Sequence, residues 1–179
     1  EQGVPVVAEQ EVDGGEADGE AGEAAAAVEG EGGVGGDEQV LADLAQDVGA
    51  ELGDADYFAL SDQDDIWLPD KLRRGIECLN SFAAQGYSSN VTAFWPDGSR
   101  HEIDKAQPLR RLDHMFGSPG PGCTFVMPRD VFSELKTFVT DNFERLQTIW
   151  VHDWLIYAFV RARGRGCSEL RSEERRVGK

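Results

Sequence analysis

Across 179 residues, 34 Asp and Glu stand against 17 Lys and Arg, a formal charge of −17; this length suits one domain of ordinary size. The charge is lopsided: residues 1–56 hold 17 acids, 12 of the 21 glycines and no basic or aromatic side chain, so residues 57–179 balance 17 acids against 17 bases. A basic nucleic-acid-binding protein, which needs a cationic face for phosphates, is excluded, and so is a disulfide scaffold, because Cys78, Cys123 and Cys167 are odd in number and lack paired spacing, as reduced thiols would.

Residues 1–36 carry Gly14-Gly15, an alanine block from Ala24 to Ala27, and further glycine pairs up to Gly36. Such a segment buries too little apolar surface to offset its ordering entropy, and its like charges repel, so it is expected to be disordered. An acidic interaction tail or a calcium-buffering tract is the functional alternative. The chain begins at Glu1 with no basic leader, so no signal peptide is expected, and the missing initiator Met points to a fragment. Order is expected from about residue 38, where Val40, Leu41, Leu44, Val48 and Leu52 recur at helical spacing behind Asp37.

Asp56 to Ser61 reads as a short buried strand. A polar turn follows, Asp62-Gln63-Asp64-Asp65. Pro69 then opens a helix with the stripe Leu72, Ile76, Leu79 and Phe82. Asn90 to Trp95 reads as a second strand closed by the turn Pro96-Asp97-Gly98. Cys123 to Met127 reads as a third, entered through the glycine-rich loop 117–122. Pro128 begins a helix with Val131, Leu135 and Phe138. A last helix, Val151 to Arg163, stops at Gly164. Its apolar stretch, Trp154 to Val160, is far shorter than the roughly 18 residues of a membrane-spanning helix. Strands alternating with helices predict an α/β layer fold with a mainly parallel sheet.

The turn at Asp62 is the chemical centre. Three carboxylates in four residues repel one another and resist desolvation unless a cation neutralises them. A hard divalent ion, Mg2+ or Mn2+, suits oxygen ligands and leaves positions for substrate phosphates; sheet-end loops are also where open α/β folds bind ligands. Read bare, the turn fits better an N-cap for the next helix, with Asp64 or Asp65 accepting from free backbone N–H groups.

The surrounding residues favour the first reading. The run from Phe58 through Ile66-Trp67-Leu68-Pro69-Asp70-Lys71-Leu72 strongly resembles the metal-binding segment of family 2 glycosyltransferases of the GT-A fold group, and within it the bacterial rhamnosyltransferase-like branch. The family's Asp-X-Asp motif falls on Asp62-Gln63-Asp64. Gly120 to Val126 resembles the family's Gly-Cys-Thr segment beside the acceptor cleft, and His152-Asp153-Trp154 resembles the helix start that carries its base. The three occur in family order, and the likeness spans about residues 54–166.

The resemblance implies a nucleotide-binding GT-A domain, here partial, over residues 37–166. It implies an inverting transfer of a sugar, rhamnose in this branch, from a nucleotide-diphosphate donor to a glycan or lipid-linked saccharide acceptor in cell-surface polysaccharide synthesis. Mg2+ or Mn2+ would sit on Asp64 and Asp62; Asp62, Asp64 and Asp65 would hold the donor; Asp153 would be the general base. Gly122, Cys123, Thr124, His152 and Trp154 would line the acceptor side. His152 stays open between a second ligand, an acceptor contact and a packed imidazole, Trp154 between core packing and stacking on a sugar ring. For Asp153 the bland alternative is a dipole-stabilising acid in a first helical turn. His101 and His114 are read as surface or packing residues and Cys123 as a small buried one. The setting implied is cytoplasmic, at the inner face of the membrane by peripheral association, with no nucleic acid. The family's opening nucleotide-binding strand and helix find no counterpart in residues 1–36, and residues 167–179 form a charged tail that resembles a translated cloning adapter. A partial chain of this kind is expected to turn over no sugar nucleotide; the alternative is a non-catalytic remnant binding metal or glycan.

Overall fold

The computed structural model describes residues 9–11, 24–30, 55–62, 66–95, 97–105, 109–149, 151–163 and 176–178. In chain order it contains strands β1 (Glu9–Glu11), β2 (Ala24–Gly30) and β3 (Tyr57–Asp62), helix α1 (Lys71–Phe82), strands β4 (Val91–Phe94) and β5 (Arg100–Ile103), and two 3-10 turns (Asp113–Met115 and Gly122–Thr124). Then come strand β6 (Val126–Pro128), helices α2 (Arg129–Asp141), α3 (Phe143–Leu146) and α4 (His152–Ala162), and strand β7 (Arg176–Gly178).

Strand β3 organises the core because its side chains alternate between two faces. Phe58 and Leu60 point into a cluster with Phe125 and Met127, closed by Val131, Phe132, Leu135 and Val139 of α2 and by Leu155, Ile156 and Val160 of α4. Tyr57 and Ala59 face the other way, onto Leu72, Ile76 and Leu79 of α1 with Tyr87 and Val126. Helices therefore cover both faces of the strand pair β3–β6, which makes the described architecture α/β. The Phe58 and Phe132 rings stack with centroids 4.3 Å apart. Each fully buried Leu, Ile, Val or Phe contributes about 1.5–3 kcal/mol, so these two clusters hold the elements that bear the site.

The sheet differs from the mainly parallel one expected. The order is β1-β2-β3-β6 in one sheet and β5-β4-β7 in the other. Only β2–β3 and β4–β7 are parallel; β1–β2, β3–β6 and β4–β5 are antiparallel. Residues 123–127 are not one strand. Pro121 lets Thr124 N and Phe125 N turn back onto the carbonyls of Pro121 and Gly122, at 3.0 Å each, so a 3-10 turn takes the first half and pairing begins at Val126. A turn in which Gly98 N donates to Trp95 O carries the chain into β5, a partner the sequence reading omitted; all four β5 residues are exposed and show no apolar alternation. Gly98 at φ 85° supplies the left-handed residue that the turn requires.

Two strands also lie within residues 1–36, which the sequence reading left strandless. β2 runs parallel to β3 from Ala25 opposite Tyr57 to Gly30 opposite Asp62. The alanine block that looked too weakly apolar to order itself is long enough to pair as backbone. The helix expected over residues 38–52 and the stop at Gly164 lie outside the described residues. The stripe of α1 ends at Leu79, with Phe82 54 % exposed. Among the described residues, no helix is long and apolar enough to cross a membrane.

Candidate functional site

β3 delivers the chain to Asp62 at its last position. The Asp62 side chain, and Gln63, Asp64 and Asp65 entirely, lie outside the described residues, so the expected metal and donor set has no described geometry. Among the described residues, no group of three His, Cys, Asp or Glu could hold a metal ion.

Beyond the acidic turn the chain is firmly packed. Trp67 packs on the edge of the α1-side cluster. Lys71, the first residue of α1, is only 2 % exposed. Its Nζ stands 3.5 Å over the centre of the Trp67 ring and donates to the carbonyl oxygen of Cys123 at 2.6 Å. A buried ammonium is costly unless its charge is met; a ring face and a carbonyl meet it here. This lysine thus ties the segment after the acids to the Gly-Cys-Thr turn 52 residues later.

That turn is fixed from several sides. Leu60 N donates to Phe125 O at 3.1 Å, extending the β3–β6 ladder, so Gly122–Thr124 lies beside the end of β3 that carries Asp62. Thr124 Oγ1 donates to Pro121 O at 2.7 Å and shares a 2.7 Å hydrogen bond with Ser88 Oγ. A Cβ on Gly120 would stand 2.2 Å from Ser88 Oγ and 2.9 Å from the backbone oxygen of Ser89. A Cβ on Gly122 would stand 2.0 Å from Nε2 of His152. Glycine at 122 is what lets the imidazole lie flush on the turn. Cys123 is 1 % exposed, in keeping with its reading as a buried small residue.

His152 opens α4, and Asp153 is the acid of its first turn, with Val151 extended before it. One carboxylate oxygen of Asp153, Oδ1, is buried. The described structure therefore brings together the Asp62 end of β3, the Gly122–Thr124 turn and the His152–Asp153 helix start, which are far apart in sequence. The His152 ring lies against Gly122.

Trp154 is not core. It is 39 % exposed, and its Nε1 donates to His114 O at 2.6 Å. Farther along α4, Arg161 donates to Arg110 O at 2.6 Å and pairs with Asp113 at 3.2 Å. Burial by itself would raise the Asp113 pKa; backbone N–H donors from Arg110 and His114, the Tyr157 hydroxyl and the Arg161 charge together outweigh it and hold the carboxyl below its ordinary range. His101 is exposed and His114 half-buried, as expected of surface and packing residues. Sequence reading gave no role to Lys71 or to this 109–116 strap. A lysine beside the buried stripe of α1 was a weak signal; bonds to backbone carbonyls leave none.

Comparison with characterised proteins relates the chain to a glycosyltransferase. It is 43% identical over 120 residues to dTDP-rhamnosyl transferase RfbG of Shigella flexneri, a match covering 67% of this chain and 41% of that protein. The chain thus spans less than half the length of that relative. No protein-family profile matches the chain.

Proposed function

We propose that the chain is the catalytic part of an inverting, GT-A-type family 2 glycosyltransferase that passes a sugar, rhamnose by analogy with that relative, from a nucleotide-diphosphate donor to a glycan or lipid-linked saccharide at the cytoplasmic side of a membrane. The observation that carries this reading is the seating of His152 on Gly122, which sets the Asp153 helix start beside the turn that borders the Asp62 end of β3. The 43% identity to a dTDP-rhamnosyl transferase supports the same reaction class.

In this reading Asp64 and Asp62 would hold Mg2+ or Mn2+; their hard carboxylate oxygens suit those ions. When bound, the ion supplies charge stabilisation for the leaving diphosphate. Asp62 and Asp65 orient the donor. Asp153 would accept the proton of the acceptor hydroxyl as that oxygen attacks the anomeric carbon; a carboxylate suits that role of general base. His152, wedged on Gly122, holds the first turn of α4 so that the Asp153 carboxylate keeps its direction. Lys71 fixes the Gly122–Thr124 turn through the Cys123 carbonyl, so the acceptor side cannot drift from the donor side; such positioning accounts for much of the rate in a two-substrate transfer.

The reading is tested in a full-length homologue carrying the same three segments. Replacing the residue that matches Asp153 by Asn is expected to lower turnover by roughly two to four orders of magnitude while donor affinity stays within twofold. Near-normal turnover would leave Asp153 a helix-start acid. On this chain itself, calorimetry with Mn2+ is expected to show binding that Asp64→Asn weakens sharply; equal affinity in both would remove the metal assignment.

A further inference from the structure

A cavity of about 460 Å³ opens on the α4 side of the molecule, lined among the described residues by Lys105, Arg110, Asp113, Phe116, Ser118 and Tyr157, with the 117–119 backbone. Its charge is unbalanced. Asp113, the lining acid, is engaged by Arg161 and by backbone N–H groups. Lys105 and Arg110 use their backbone groups to anchor the chain, Lys105 N donating to Asn90 Oδ1 at 2.9 Å and Arg110 N to Asp113 Oδ2 at 2.6 Å. Their side-chain cations make no hydrogen bond or ion pair among the described residues. Two exposed side-chain cations on one cavity, without a side-chain partner among the described residues, favour an anion. The Phe116 ring, 87 % exposed at the rim, offers an apolar wall.

The cavity is also in the right place for an acceptor. Its buried residue Tyr157 lies four residues after Asp153 on α4, so the two share a helix face, about 6 Å apart along the axis. An acceptor whose hydroxyl meets Asp153 would extend about one helical turn along α4 to reach the cavity at Tyr157.

We propose that this cavity binds the anionic group of the acceptor, a diphosphate or a sugar carboxylate, on Lys105 and Arg110, with Phe116 covering the adjoining apolar part. The assignment to the acceptor rests on the transferase reading. The test is calorimetry on the whole chain at low salt with two probes, farnesyl diphosphate and glucuronic acid. At least one is expected to bind, and Lys105→Ala/Arg110→Ala to raise its Kd tenfold or more with unchanged circular dichroism, while Lys105→Arg/Arg110→Lys keeps binding. Phe116→Ala weakening farnesyl diphosphate assigns a lipid-linked diphosphate; tighter binding of glucuronic acid, indifferent to Phe116, assigns an acidic sugar. Binding of Mn2+, measured on the same samples, is expected to survive the double alanine variant, and excess Mn2+ to leave the probe's Kd within twofold. Neither probe binding, or both Kd values unmoved by the double variant while Mn2+ still binds, overturns the proposal alone. A chain that binds a probe but not Mn2+ counts against the transferase reading and so against the acceptor assignment built on it.

Discussion

The junction at Gly120–Thr124 and the strap at residues 109–116 both reach α4, and they are held by opposite means. The junction is steric: two glycines whose missing Cβ atoms make room for Ser88, Ser89 and His152, and a buried lysine on a carbonyl. The strap is polar and half-open: Trp154 and Arg161 of α4 donate to the backbone oxygens of His114 and Arg110, while Leu112, Met115 and Phe116 stay exposed. A packed contact of the first kind has two states, made or broken. A clamp of surface hydrogen bonds yields by degrees, each worth about 1 kcal/mol net. The molecule thus sets its candidate base rigidly and leaves adjustable the wall that faces the cavity beside it.

Substitutions can break that contrast, and the largest effect is expected at Gly120. Gly120→Ala puts a Cβ against the Ser89 backbone, which cannot rotate aside, and breaks the Ser88–Thr124 pair. A loss of about 3 kcal/mol is expected, the upper range for overpacking, read as a lowered urea midpoint; a midpoint shift equivalent to under about 0.5 kcal/mol, the scatter of ordinary surface substitutions, would mean the junction has slack.

Gly122→Ala meets only a side chain, the His152 ring, which can swing away. About 2 kcal/mol is expected to be lost, and Gly122→Ala/His152→Ala to recover most of it. Additive losses in that double-mutant cycle would show that Gly122 and His152 do not touch in solution.

On the strap, Trp154→Phe keeps the ring and removes the N–H that reaches His114 O. About 1 kcal/mol or less is expected to be lost, with faster amide exchange confined to residues 109–116. Faster exchange at Gly122–Phe125 as well would merge the two regions into one unit.

The smallest effect is set by pH. The Asp113 carboxyl is held below its ordinary range in the folded chain. Its contribution is therefore fully present above the unfolded carboxylate pKa, near about 4, and is lost as pH falls through the lower folded value. Acidification below about pH 4 is expected to release the strap, and Asp113→Asn to flatten that part of the profile. A strap indifferent to pH down to about 3 would assign its hold to Arg161 and Trp154 acting on carbonyls alone.

Much of this was legible in the chain. Phe58 and Leu60 alternating with Tyr57 and Ala59 announce a strand buried on both faces, and Val131 and Leu135 announce the α2 stripe, because burial selects apolar side chains at the period of the element. The three motif segments and their order were legible as residue types at fixed positions. Glycine at 122 was visible as a letter, but its purpose was not, since the imidazole it admits is 30 positions away.

Tertiary structure alone decided strand direction, the β2 pairing, the β5 partner and the strap. Pairing direction depends on which backbones lie side by side, and backbones carry no side-chain signature; the Ala24–Gly30 run reads as a weak tract until β3 stands next to it. Carbonyl acceptors are the same at every residue, so neither the Lys71–Cys123 bond nor the Trp154–His114 bond could be written in composition. The amino-acid sequence by itself determined which residues must be buried; only folding determined which of them meet, because contact is set by geometry that each residue shares with partners far along the chain.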